Sequence, residues 1–196
     1  MAKLILEMQT SLDGFMAGPQ GQTDWMVWNW GPEWTWDKTL QDFHTNLTRL
    51  ASHILISRQM AEEGFTAHWK QAAAQNNEQS TFAEHISKTP KIVISTTLTK
   101  DQQIPGGWNE TLSIEKSIDF LEDFKHKAHG TILVYGGATL VSSLLEKKYI
   151  DELYLVVNPV AIGEGLNVFN SIKYFQLIDV ESYQSGIAVL HYELQK

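Results

Sequence analysis

The segment Thr131-Ile132-Leu133-Val134-Tyr135-Gly136-Gly137-Ala138-Thr139 constrains this chain more than any other. A β-branched apolar run stops at two adjacent glycines, and a helix-compatible stretch, 140–147, follows at once. A buried strand that turns directly into a helix is the building unit of an α/β sheet. Two residues without Cβ at that turn let main-chain N–H groups approach another group closely. The helix N-terminus adds a partial positive charge, so a phosphate or pyrophosphate is the natural guest. A tight turn that only packs helix on strand is the competing reading, because a double glycine is shorter than a full G-x-G-x-x-G.

Composition limits what such a turn can serve. With 196 residues, 43% of them hydrophobic, the chain can bury one good core, and a single domain over 1–196 is expected. A net charge of −8 argues against a nucleic-acid surface or an anionic membrane, so any bound anion must be held by local groups. The absence of cysteine removes disulfides and thiolate chemistry and suits a reducing cytoplasm. The first residues alternate into a strand and lack the apolar stretch of a signal peptide. No segment approaches the length of a membrane-spanning helix, so a soluble cytoplasmic protein is expected.

Strand and helix patterns alternate along the chain. Strands are expected over 3–9, 53–57, 91–95, 111–114 and 131–135, then over 153–157, 174–183 and 187–194. Trp36, Leu40, Phe43, Leu47 and Leu50 form the stripe of an amphipathic helix, and Arg58 opens another helical turn. Residues 69–88 read as helical with a break at Gln75-Asn76-Asn77, and Ser117 reads as the N-cap of a helix running to Lys127. Helices between strands, then a β-rich end, predict a mostly parallel sheet with an antiparallel C-terminal edge and helices on both faces. Seven scattered histidines without H-x-x-x-H spacing predict no metal site, and neither a G-x-S-x-G nucleophile turn nor a P-loop occurs.

Three motifs in order make a more specific pattern. They are Ser11-Leu12-Asp13-Gly14-Phe15-Met16-Ala17, the Gly136-Gly137-Ala138 turn, and Asp151-Glu152-Leu153 leading through Asn158-Pro159-Val160 to Ile162-Gly163-Glu164-Gly165. Together the pattern resembles the dihydrofolate reductase-like superfamily, most closely the reductase domain of riboflavin-biosynthesis enzymes and its stand-alone relatives. The resemblance covers nearly the whole chain and implies a three-layer α/β fold. It also implies a nicotinamide dinucleotide as cofactor, NADPH ahead of NADH, and a two-fold homodimer with its interface on the C-terminal strands.

The same resemblance assigns candidate residues. Arg58 stands where the family places an arginine near the adenosine-ribose phosphate of NADPH. Ser57 and Met60 replace a glycine and a threonine of that segment. Ser95-Thr96 stands where relatives read Ser-Arg, so one of two phosphate-reading charges is missing and preference for a 2′-phosphate is weakened. The cofactor set is Arg58, Ser95, Thr96, Gly136, Gly137, Ala138 and Thr139. On this reading Gly137→Val would exclude a dinucleotide from a folded protein, provided that the turn tolerates a Cβ.

Five of the seven tryptophans, Trp25, Trp28, Trp30, Trp34 and Trp36, crowd one glycine-bearing loop. They are read either as walls for a flat heteroaromatic substrate, with Trp25 and Trp28 foremost, or as padding for the core and a subunit interface. Hydride chemistry also needs a proton source. Asp13 ends the first strand, and Asp24 lies in the aromatic loop, where burial would favour protonation. Glu164, Asp37 and Asp42 are further acids of the region, and any of them could instead be a turn residue. The function expected is an NAD(P)H-dependent reductase of a small heterocycle, resembling 5-amino-6-(5-phosphoribosylamino)uracil reductase. The alternatives are a ligand-binding or regulatory module with a decayed dinucleotide site, and a dihydrofolate reductase.

Overall fold

The structure, a computed structural model, describes residues 1–27, 38–75 and 80–195. Its strands are β1 (Lys3–Thr10), β2 (Ala51–Ser57), β3 (Lys91–Ile94), β4 (Thr111–Glu115), β5 (Thr131–Gly136), β6 (Glu152–Val157), β7 (Phe175–Ser182) and β8 (Ala188–Leu194). The helices are α1 (Lys38–Arg49), α2 (Arg58–Glu62), α3 (Phe65–Ala74), α4 (Ser80–Lys88), α5 (Phe120–Lys127) and α6 (Ala138–Glu146). The strands form one sheet in the order β4-β3-β2-β5-β1-β6-β8-β7. From β4 to β6 all pairs are parallel, and β8 runs antiparallel to both β6 and β7.

Period-two alternation decides which helix meets which face. On β1, Leu4, Leu6 and Met8 join Leu121 of α5 and Leu140, Val141, Leu144 and Leu145 of α6 in one core. Ile5 faces the other way, with Ile54, Ile56 and Leu133, against Leu47 of α1, Trp69 of α3 and Phe82 and Ile86 of α4. Trp69 meets Phe82 edge to face, with ring centroids 5.3 Å apart. Burying each such aliphatic side chain contributes about 1.5–3 kcal/mol, and the two cores clamp the sheet from both sides. A third cluster seats Leu40 of α1 on Val156, Tyr183, Ile187 and Val189, which ties the helix to the antiparallel edge.

Some boundaries move. The helix expected from Ser117 starts at Phe120, because the Ser117 hydroxyl caps an earlier turn, accepting the Asp119 N–H at 3.2 Å and donating to its carboxylate at 2.9 Å. Helix α1 ends at Arg49, so Leu50, the last residue of the apolar stripe, is exposed. Helix α3 begins at Phe65, four residues before Trp69. Trp28, Trp30, Trp34 and Trp36 lie outside the described residues.

Candidate functional site

Parallel pairing brings the carboxyl ends of β1 to β5 to one side of the sheet, where an open α/β fold places its ligands. The turn after β5 is built as the glycines require. Gly136 has φ +117° and Gly137 φ +89°, a region that L side chains rarely adopt. The two glycines serve different ends. A Cβ on Gly137 would run into Ser57, at the start of α2, whereas a Cβ on Gly136 would meet nothing within 4 Å. The backbone at Gly136 is therefore open to a visitor, and α6 begins at Ala138, earlier than the expected Leu140, with its N-terminus turned to the same place.

Two hollows meet at this turn. A groove of about 530 Å³ is lined by Ser57, Arg58 and Gln59 of the β2–α2 junction, Ile94, the segment 116–118 after β4, and Gly137, Ala138, Thr139, Ser143 and Lys147. A cleft of about 390 Å³ opens over β1 and β5, lined by residues such as Glu7, Met8, Gln9, Met16, Met26, Met60, Tyr135 and Gly136. Ser57, Gln59, Gly137 and Ala138 line both, so groove and cleft are continuous.

The groove holds three cations in different states. Arg58 is half exposed and paired with Glu62 one turn on, at 2.8 Å. Lys147 is paired with Asp119, which holds the Asp119 carboxyl below and the Lys147 ammonium above their ordinary values. Lys116, exposed at the end of β4, makes no ion pair among the described residues. Sequence reasoning missed it; its position directly after an expected strand was the available signal.

The cleft floor carries a buried pair that sequence reasoning also missed. Glu7 Oε1 lies 2.5 Å from His44 Nδ1 of α1, and both side chains are almost wholly removed from water. Polar groups this deep have lost their hydration and are kept only by good contact with each other. Beside them the Tyr135 hydroxyl is 2.9 Å from Thr48 Oγ1. Desolvation, and then the neighbouring Glu7 carboxylate, push the Tyr135 phenol well above its ordinary value.

The candidates drawn from the sequence fall into three groups. Arg58, Gly136, Gly137, Ala138 and Thr139 are brought together around the groove and cleft. Ser95 and Thr96 follow Ile94 but do not line the groove. The Ser95 hydroxyl is engaged by the N–H groups of Thr97 and Leu98, at 3.1 and 2.8 Å, while Thr96 is exposed.

Neither expected proton donor lines the cleft. Asp13 accepts from the Ser11 hydroxyl at 2.6 Å and from the N–H groups of Gly163 and Ile162 at 2.7 and 3.2 Å. These donors hold its carboxyl below the ordinary range, as the Ser11 contact dominates, so Asp13 is a fixed anion that clasps two loops. Asp24 is exposed, so the burial expected for it is absent. Trp25 is half-buried and donates its indole N–H to Gln22 O at 3.0 Å, closing its own turn, and it too is outside the cleft lining.

The two outer motifs are one physical unit. Leu12 N–H donates to Val160 O at 2.8 Å, Met16 N–H to Leu166 O at 3.0 Å and Leu166 N–H to Ala17 O at 2.8 Å. A Cβ on Gly165 would lie 2.2 Å from Ala17 O, so that glycine is fixed by the close approach of the loops. Buried Asn158 accepts the Val27 N–H at 3.0 Å and draws the start of the aromatic loop to the end of β6.

The profile of the RibD C-terminal domain family matches residues 2–190. The chain is 24% identical over 197 residues to the uncharacterised protein YyaP of Bacillus subtilis, covering 97% of this chain and 94% of that one. Its fold is shared with a putative riboflavin biosynthesis protein of Shewanella sp. PV-4, at TM-score 0.67 and 20% identity over the full length of both chains. It is also shared with the Thermotoga maritima deaminase/5-amino-6-(5-phosphoribosylamino)uracil reductase, at TM-score 0.67 and 14% identity over 99% of this chain and 57% of that one. The enzyme dihydrofolate reductase from Enterococcus faecalis has the same architecture at TM-score 0.52. With the profile spanning nearly all of its length, the chain belongs to the RibD C-terminal domain family and is an oxidoreductase of that type.

Proposed function

We propose that the protein reduces a small heterocyclic substrate with NADPH, in the manner of a 5-amino-6-(5-phosphoribosylamino)uracil reductase. The observation that carries this reading is the continuity of a cation-bearing groove with an apolar-walled cleft across the open backbone of Gly136. A bound nicotinamide dinucleotide supplies the hydride. The chain's own part is to bind and orient. The N–H groups at the start of α6 and the open turn suit a pyrophosphate, while Arg58 and Lys116 offer charge for a further phosphate. The cleft, walled by Met8, Met16, Met26 and Met60, keeps water from the ring that is reduced. The protein would act in the cytoplasm as a homodimer.

The test is a fluorescence titration with NADPH and NADH, followed by calorimetry. NADPH should bind more tightly, because NADH leaves the groove cations without a partner phosphate. Binding of neither would favour the ligand-binding module over the enzyme.

A further inference from the structure

Phe65, His68 and Trp69 stand at spacings of three and four on α3, so their rings share one face of the helix. With Met60 of α2 and Tyr135 of β5 they line a hollow of about 420 Å³. Met60, Glu63 and Tyr135 line the cleft as well, so the hollow is an alcove of it. Gly64, at φ +98°, makes the sharp turn from α2 into α3 that shapes the alcove.

The walls are aromatic and held in place. The Phe65 ring centroid lies 6.0 Å from that of Tyr135 and 6.2 Å from that of Trp69. Trp69, buried, backs onto Phe82, and His68 meets Trp69 edge to face at 4.7 Å. Met60, Phe65 and Tyr135 are each only half-buried, so this apolar concavity still touches water. Filling it with another ring removes that surface from water and adds edge-to-face contacts.

The alcove is also short of charge. Lys70, next to Trp69 in sequence, is turned away: its ammonium donates to Gly106 O at 2.9 Å and lies 3.5 Å from a Glu110 carboxylate oxygen. Desolvation holds the His68 imidazole below its ordinary value, which keeps it largely neutral at pH 7. Glu63, the lining's carboxylate among the described residues, stands at the exposed rim and accepts from the Gln59 amide at 2.7 Å.

We infer that the alcove is a specificity pocket and takes an uncharged aromatic ring, carried on a short linker by the heterocycle that is reduced in the cleft. The inference rests on the reductase reading for the cleft being the place of reduction. A sugar chain would set its hydroxyls against the rings of Phe65 and Trp69, where buried polar groups without partners are costly. An anionic tail would meet Glu63 at the rim with no cation of the lining to offset it.

The experiment titrates the whole protein by calorimetry, with and without NADPH, using 6-aminouracil, 6-(benzylamino)uracil and 6-(4-carboxybenzylamino)uracil as probes. The benzyl probe should bind at least about tenfold more tightly than 6-aminouracil, the effect of taking a phenyl ring out of water, and the added carboxylate should cancel most of that gain. Phe65→Ala, at the half-buried first residue of α3, should cut the gain to about threefold or less. In the wild type, nuclear Overhauser effects from the benzyl protons to the ring protons of Phe65 and His68 should appear, which decides the matter if Phe65→Ala does not fold. Equal binding of 6-aminouracil and the benzyl probe, no binding of either, a gain retained in folded Phe65→Ala, or benzyl contacts confined to other residues would overturn the inference. A benzyl gain that depends on Phe65 without any NADPH binding would instead remove the reductase reading and leave the alcove standing.

Discussion

A Cβ placed on Gly137 would lie 2.8 Å from Ser57 Oγ and 2.9 Å from Ser57 Cβ, so the glycine turn and the β2–α2 junction are in close contact. Both walls of the groove thus meet at one point. Ser57 cannot simply move away, because its hydroxyl accepts the Met60 N–H at 3.3 Å and caps α2.

Stability is the first thing that Gly137 should control. Gly137→Ala adds a steric overlap to a left-handed φ and should cost about 2–3 kcal/mol. Ser57→Gly alone should cost only a few tenths, as glycine is a tolerable cap. Combined with Gly137→Ala it should restore part of the loss, which chemical denaturation of the three variants would measure. The expectation that Gly137→Val would leave the protein folded is corrected accordingly: the larger side chain meets protein before it meets a ligand. Full additivity of the two substitutions would count against the contact.

Cofactor selectivity should rest on Lys116 more than on Arg58. A phosphate that recruits Arg58 must compete with Glu62, whereas Lys116 has no ion-pair partner among the described residues to release. Lys116→Ala is expected to weaken NADPH by about 1.5–3 kcal/mol and to leave NADH nearly unchanged. For Arg58→Ala a smaller loss is expected, and Glu62→Gln should tighten NADPH binding by no more than about 0.3–0.5 kcal/mol, the contribution of the exposed i,i+4 pair that it removes. Affinities measured at two salt concentrations would check both, since the differences should shrink as ionic strength rises. A larger effect at Arg58 than at Lys116 would reverse the assignment.

What the sequence disclosed follows from which signals are local. The sheet, its antiparallel edge and the glycine turn were legible because period-two and period-3.6 patterns and a double glycine are written in contiguous residues. The Glu7–His44 pair was not, because each partner is ordinary alone. Glu7 shares a strand face with Ile5, and His44 stands between Leu40 and Leu47 on the buried stripe of α1. Two ionisable residues at core-facing positions of two elements were the trace to follow. Asp13 and Asp24 fall outside the cleft lining for the opposite reason. An acid beside a glycine turn is a local signal, but whether it faces a cleft depends on the distant 162–163 loop and on burial that only the tertiary structure fixes.

A pH response should come from Lys91, which begins β3. Its ammonium is buried, donates to Ser87 O, and is pushed down to about 8 by desolvation from an ordinary 10.5, against a partial counter-effect of Glu110. Between those values the unfolded chain binds the proton that the folded chain has lost, so stability rises with pH across that window and its contribution is complete above the unfolded value. The rise should amount to roughly 3 kcal/mol at most. Lys91→Met should be more stable than the wild type below pH 8 and should lack the rise. Urea unfolding at intervals through this range would test it, and a wild-type stability that is flat or falling there, relative to the variant, would exclude a strained ammonium.

Assembly should use the far edge of the sheet. Strand β7 is last in the strand order, paired with β8 on one side only among the described residues. It exposes Leu177, Ile178 and Val180 at 51, 49 and 50% of their surfaces, an apolar content that an isolated edge strand does not keep without a use. The register shift between Leu177 and Asp179 sets Ile178 outside the ladder, where it is free to meet a second copy. A two-fold pairing of β7 edges or faces would cover these residues in both chains at once and leave the grooves beside Gly137, at the carboxyl ends of β2 to β5, pointing away. Light scattering should therefore give about 44 kDa, twice the 22.2 kDa chain. The double substitution Ile178→Lys and Val180→Lys should give the single-chain mass with the secondary structure retained, because both side chains are already half in water. A wild-type mass of one chain across a wide concentration range would refute the dimer, and a dimer unaffected by the two lysines would move its interface elsewhere.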